Sequence, residues 1–184
     1  MYRLFSLRKV CTAGALCLTL AAAALPAGAA TLVVAATKTP GGFDGDALKP
    51  NTQNVVVQVY EGLTKYGYKK DPKTGRMLLD PGSILPHLAT KWTISPDGKT
   101  YTFELRKGVK SPFGNELTSA DVVWGWEKSL AQKRTGAFIA KASSVNKVEA
   151  VDRYNVSFTL DAPSSIFLPA LTLYTPSLYD STEV

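Results

Sequence analysis

Trp92 and Ile94 alternate with Thr93 and Ser95, Tyr101, Phe103 and Leu105 alternate with Thr102 and Glu104, and Ser95-Pro96-Asp97-Gly98 stands between the two runs. Proline presets the first turn residue and glycine takes positive φ without cost, so the tetrapeptide reverses the chain. Period-two alternation on both sides then makes an antiparallel hairpin with one buried face. A second hairpin follows the same logic, with Val148–Ala150 and Val156–Leu160 placed around Asp152–Asn155. Between them, Thr118-Ser119-Ala120-Asp121 sets a hydroxyl three residues before a carboxylate, the signature of a capping box. The helix expected over 118–133 carries Val122, Val123, Trp126 and Leu130 on one stripe, with Trp124 roughly opposite and packed against a neighbouring element.

Elsewhere the pattern is less directive. Thr31–Ala36 is a continuous apolar run suited to a strand buried on both faces. A Gly-, Pro- and Asp-rich loop covers 37–50. Asn51 or Thr52 then caps a helix through Leu63 with Val55, Val56 and Val59 on its face, although three valines so close together also suit a strand. Ile166–Leu173 is apolar, and Pro169 limits any helix there.

The first 29 residues read as an export signal. A basic start, Tyr2–Lys9, leads into an apolar stretch from Val10 to Leu25, then Pro26 and the small-x-small sequence Ala27-Gly28-Ala29. The stretch is shorter than the ~20 residues that span a bilayer. Cleavage after Ala29 is expected, with Ala30 the neighbouring alternative. Cys11 and Cys17 both lie in this segment, preceded by Val10 and Leu16 where a lipidated cysteine would follow a small residue, so no lipid anchor is read. The mature chain from Ala30 therefore has no cysteine, and neither a disulfide nor a thiolate metal site. The formal charge of +6 has a similar origin. Arg3, Arg8 and Lys9 precede every acidic residue, and the remainder carries 18 basic against 15 acidic side chains. That balance lacks the dense basic face of a nucleic-acid binder.

No catalytic set emerges. His87 is the single histidine, without a nucleophile or orienting partner nearby, and reads as a polar residue at a helix start. Asp44-Gly45-Asp46 lacks the later ligands of a calcium loop and reads as a solvated turn. Lys65, Lys69, Lys70, Lys73 and Arg76 surround Asp71–Gly75; this is read as a solvated hairpin turn, with a docking patch for an acidic partner as the alternative. No zinc spacing and no phosphate-cradling glycine loop occurs.

Several ordered blocks carry a resemblance: Val59-Tyr60-Glu61-Gly62-Leu63, Pro86–Trp92, Ser95–Lys110, Leu117–Val122 with Trp126-Glu127-Lys128, and Lys147–Asp152 with Val156–Leu160. Together they resemble family 5 extracellular solute-binding proteins, the peptide- and nickel-type binding components of ABC importers. Ser111-Pro112-Phe113-Gly114-Asn115 departs from the aromatic and His/Ser-Asp-Gly turn of relatives. The resemblance implies an α/β fold of the type II periplasmic-binding-protein kind, two lobes with an extra subdomain on the first. Only its N-terminal third is expected in this chain: 30–60 beginning the first lobe, 61–179 forming the extra subdomain, and 180–184 starting the return. It further implies a monomeric, periplasmic, non-enzymatic protein that needs no cofactor, captures a peptide or related small solute and delivers it to an inner-membrane permease. An exported structural or interaction module without ligand is the alternative. By the same resemblance, Leu48, Lys49 and Pro50 line the cleft, and Phe138, found by gapless counting from Trp126, faces the ligand or else belongs to the core.

Overall fold

The computed structural model describes residues 45–46, 56, 59–173 and 180–182, all of them within one unit, 38–184. The expected export signal, the strand at Thr31–Ala36, and Leu48, Lys49 and Pro50 lie outside the described residues. Of the helix expected up to Leu63, Val56 and Val59 are helical and the Tyr60 amide donates to the Val56 carbonyl at 2.8 Å. Leu63 itself is not helical; it is buried and leads directly into a strand.

Among the described residues, six strands and three helices follow in chain order: β1 Thr64–Lys70, β2 Met77–Pro86, β3 Ala89–Ile94, β4 Thr100–Leu105, α1 Ser119–Ala131, α2 Thr135–Ser143, β5 Val145–Asp152, β6 Asn155–Leu160 and α3 Phe167–Leu173. β1 and β2 form a separate antiparallel pair. The other four make an antiparallel sheet in the order β3-β4-β6-β5, so the two expected hairpins lie side by side through their second strands.

The first hairpin turns where its sequence requires. The Gly98 amide reaches the Ser95 carbonyl at 2.8 Å, with Gly98 at φ +69°. Tyr101, Phe103 and Leu105 are buried as expected, but Ile94 is exposed and Trp92 half-buried. The reason is position: β3 is an edge strand, and its outer end has less covering it than the central β4. In the second hairpin the Asp152 carboxylate accepts the amides of Tyr154 and Asn155 at 2.8 and 2.9 Å, and β5 starts earlier than expected, at Val145.

α1 begins at the expected cap. The Asp121 carboxylate accepts both the backbone N–H and the hydroxyl of Thr118, at 2.7 and 2.9 Å. Its inner stripe is displaced from the expected one. Val122 and Trp126 are buried, but Leu130 is exposed and Ser129 takes the inward seat. Trp124 is half-buried, with the ammonium of Lys128, one turn on, 5.7 Å from its ring centroid. α1 rests on β5 and β6, so it meets the first hairpin through shared aromatic rings. Phe158 of β6 packs edge-to-face on Trp126 at 5.3 Å and on Phe103 of β4 at 5.5 Å.

Two regions differ from the sequence expectation. Pro169 does not prevent α3, because it falls in the first turn, where backbone N–H groups have no intrahelical partner to lose. Phe167 and Leu171 of α3 are fully buried. His87 does not start a helix; it occupies the bend between β2 and β3, its amide bonded to the Leu63 carbonyl at 3.1 Å and its Nε2 3.1 Å from Glu61 Oε1. Amide bonds from Leu88 to Gly62 and from Ala89 to Leu63 continue this seam, so the Tyr60–Leu63 and Pro86–Ala89 blocks lie side by side. In β2, Asp80-Pro81-Gly82 falls inside the strand. The strand absorbs it in a bulge, since the register passes from Tyr66 opposite Ile84 to Gly67 opposite Asp80.

Candidate functional site

The site expected from sequence has two parts, Leu48–Pro50 and Phe138. The described residues place the second and the immediate approach to the first. Phe138 lies in the first turns of α2 and is 56% exposed. A ring held on a rigid helix, mostly open to solvent, offers a face for stacking and no hydrogen-bond donor.

Two residues ahead of Leu48, Asp46 is buried, which overturns the reading of Asp44-Gly45-Asp46 as a solvated turn. It is fixed to the junction of α1 and α2. Ser129 donates its hydroxyl to Asp46 Oδ1 at 2.7 Å, and the Thr135 hydroxyl and amide reach the Asp46 carbonyl at 2.9 and 3.3 Å. The Ser129 oxygen in turn accepts the Gly136 amide at 2.6 Å. Ser129 and Thr135 are thus buried polar groups with satisfied bonds, and the network ties the stem of 48–50 to the first turn of the helix that carries Phe138. Sequence reasoning missed Ser129 and Thr135. A serine among the apolar positions of α1 was the one available signal.

No group of three or more His, Cys, Asp or Glu suited to a metal occurs among the described residues, and Asp46 Oδ1 accepts the Ser129 hydroxyl. None of the described helices is long and apolar enough to cross a membrane.

A cleft of about 430 Å³ opens elsewhere, between Tyr60 and Leu88 on one side and Val109, Pro112, Phe113 and Leu117 on the other. The Ser111–Asn115 loop that departs from the family pattern forms its rim. This loop is closed by the Ser111 amide to the Asn115 carbonyl at 2.9 Å and by Gly114 at φ +97°. The polar end of the cleft is occupied by intramolecular bonds. Asp180 accepts from the Ser111 hydroxyl at 2.5 Å and from the Asn115 amide at 3.0 Å, while Ser181 donates its amide and hydroxyl to Asp121 Oδ1 at 3.0 and 2.6 Å.

These bonds depress both carboxylates. The hydroxyl of Ser111, followed by that of Thr182, brings Asp180 from 3.8 to about 2. Burial pushes Asp121 up, but the donors from Ser181 and Thr118 outweigh it and hold its carboxyl below the usual value. A depressed folded-state value stabilises above the unfolded value and loses that contribution as pH falls through the folded one. The docking of 180–182 is therefore expected to persist at neutral pH and to release between 3.8 and about 2. Protection of the Ser181 amide in hydrogen exchange should be lost only once acid protonates Asp121, below the ordinary carboxylate range, and should be absent at all pH in Asp121→Ala. Protection in the variant equal to the parent's would contradict the assignment.

With the geometry in place, the comparisons decide the family. Residues 83–183, more than half of the chain, match the bacterial extracellular solute-binding proteins, family 5, middle region. The chain belongs to that family. It is 31% identical to di/tripeptide-binding protein 4 of Pseudomonas aeruginosa (strain UCBPP-PA14), the match taking in 89% of this chain and 33% of that protein. Among solved structures, PBP AgaA from A. tumefaciens R10, in complex with agropinic acid, aligns with a TM-score of 0.62 and 30% identity over 78% of this chain and 27% of its own. The ABC transporter-associated periplasmic binding protein DppA from Helicobacter pylori, in complex with peptide STSA, aligns at 0.59 and 25% identity over 76% and 28%. This family 5 chain spans about a quarter to a third of the length of the relatives it matches. Its mixed α/β fold is correspondingly a part of the periplasmic-binding-protein fold.

Proposed function

We propose that this chain supplies one wall of the ligand cleft in the substrate-binding component of an ABC importer, which captures peptides or a related small solute outside the inner membrane and passes them to the permease. In this reading, 1–29 direct export and are removed, 30–60 begin the first lobe, 61–179 are its extra subdomain and 180–184 begin the return. Binding by closure of two lobes needs pockets and hydrogen bonds, not a catalytic dyad, so the chain is not an enzyme. The wall consists of Leu48, Lys49 and Pro50 with Phe138. The observation that carries it is the Asp46–Ser129–Thr135 network, which joins the stem of 48–50 to the helix presenting an exposed Phe138. Backbone groups of 48–50 serve an extended peptide as an added strand does, less one donor because Pro50 has no N–H.

The test is a chimera in which this chain replaces the matching third of a di/tripeptide-binding relative, titrated with di- and tripeptides by calorimetry. Micromolar binding is expected, and Phe138→Ala should weaken it about tenfold by removing the stacking face. Binding indifferent to Phe138→Ala would remove that residue from the wall. A correctly folded chimera that binds no peptide would favour the module without ligand.

A further inference from the structure

The β1–β2 hairpin carries a surface that ligand capture does not use. Its outer end exposes apolar side chains on both faces. Tyr68 stands opposite Leu79 on one face and Lys69 opposite Leu78 on the other, with Met77 opposite Lys70 at the end of the ladder. Tyr68 and Met77 are 67% and 62% exposed, and Leu78 and Leu79 nearly half. Three consecutive large apolar residues left open at 77–79 are not the usual scatter of single surface hydrophobics.

The same end is basic. Lys69, Lys70, Lys73 and Arg76 are all exposed, while Asp71 spends its carboxylate inside the turn, accepting the Thr74 hydroxyl at 2.6 Å and the Lys73 amide at 3.0 Å. Lys69 leans on Asp80 at 3.4 Å, which leaves the Lys70, Lys73 and Arg76 charges around the turn. The turn itself is rigid for its size, closed by the Asp71 amide to the Arg76 carbonyl and the Gly75 amide to the Asp71 carbonyl, both at 2.8 Å, with Gly75 at φ +69°.

We propose that the outer end of this hairpin docks on an anionic lipid surface, Tyr68 and Met77–Leu79 entering the headgroup boundary while Lys70, Lys73 and Arg76 meet lipid phosphates. A flat acidic protein surface would cover one face of the hairpin and leave the other apolar face in water. An interfacial lipid layer surrounds both, and each basic residue near it adds attraction of its own. The hairpin contains neither Phe138 nor 48–50, so failure of this inference leaves the ligand wall standing, and the reverse.

Amine-reactive footprinting of the full chain tests it, because exposed Lys91 and Lys147 outside the hairpin serve as internal references and cancel any general attachment to vesicles. On vesicles of phosphatidylcholine with about a third phosphatidylglycerol, labelling of Lys70 and Lys73 should fall about tenfold relative to those references. Pure phosphatidylcholine should give no such protection, and Met77→Ser with Leu79→Ser should abolish it on anionic vesicles. Unchanged labelling of Lys70 and Lys73 on anionic vesicles would overturn the proposal, as would equal protection on neutral ones. Protection by soluble polyglutamate but not by vesicles would overturn it in favour of an acidic protein partner.

Discussion

Trp126→Ala is expected to lower the stability of the chain by about 3–5 kcal/mol, read as a shifted urea midpoint in far-UV circular dichroism. Trp126 is 2% exposed and sits where the helical layer meets the sheet. Its ring packs edge-to-face on Phe158, which also contacts Phe103 of the first hairpin and Phe167 of α3 at 5.4 Å. Truncation therefore opens a cavity against the one ring that three elements share, and the neighbours cannot close it without leaving one another. Trp124→Ala is the control. That ring is half-buried beside Lys128, so its loss should cost less than about 1.5 kcal/mol. Equal effects of the two substitutions would contradict the assigned inner face of α1.

Ser129→Ala should cost about 2–4 kcal/mol, far more than an exposed helical serine, because it strands two groups at once. The Asp46 carboxylate loses a hydroxyl donor in a buried site, and the Gly136 amide loses its acceptor. A buried polar group deprived of a partner is the costly case, whereas Ser129→Thr keeps the hydroxyl and should recover part of the loss. The same substitution loosens the stem of 48–50. In the chimera it should weaken peptide binding beyond what the stability loss explains at temperatures where the protein is fully folded. A cost below about 0.5 kcal/mol would mean that the Asp46 anchor contributes little.

What could be read from the sequence was what local chemistry decides. Ser95–Gly98 and Asp152–Asn155 fix their turns with residues that are neighbours in the chain, and Thr118 with Asp121 fixes the start of α1; all three stand where expected. The parts that escaped depend on distant partners or on exceptions to local rules. Asp46 and Ser129 are 83 residues apart, and nothing near either announces the other. Ser129 displaced Leu130 from the inner face because its hydroxyl had a buried carboxylate to satisfy. Pro169 spells a break, yet a proline in a first turn breaks nothing. His87 was placed on a helix because a helix start suits a lone polar residue, while backbone bonds to Leu63 hold it in a bend. Gapless counting from Trp126 in α1 reaches Phe138 in α2, whose exposure is not readable from a pattern of apolar spacing.

In the proposed function the chain supplies one wall of a peptide cleft, and affinity arises only when a second wall removes the ligand from water. Association costs an estimated 4–15 kcal/mol before any surplus appears as binding, and a single open wall leaves a peptide's termini and backbone hydrated. The most direct measurement is a side-by-side calorimetric titration of mixed di- to pentapeptides into this chain and into the chimera. No saturable heat is expected for the chain at peptide concentrations up to about 1 mM, and micromolar binding is expected for the chimera. Micromolar binding by the chain itself would contradict it, placing a complete ligand site within these residues.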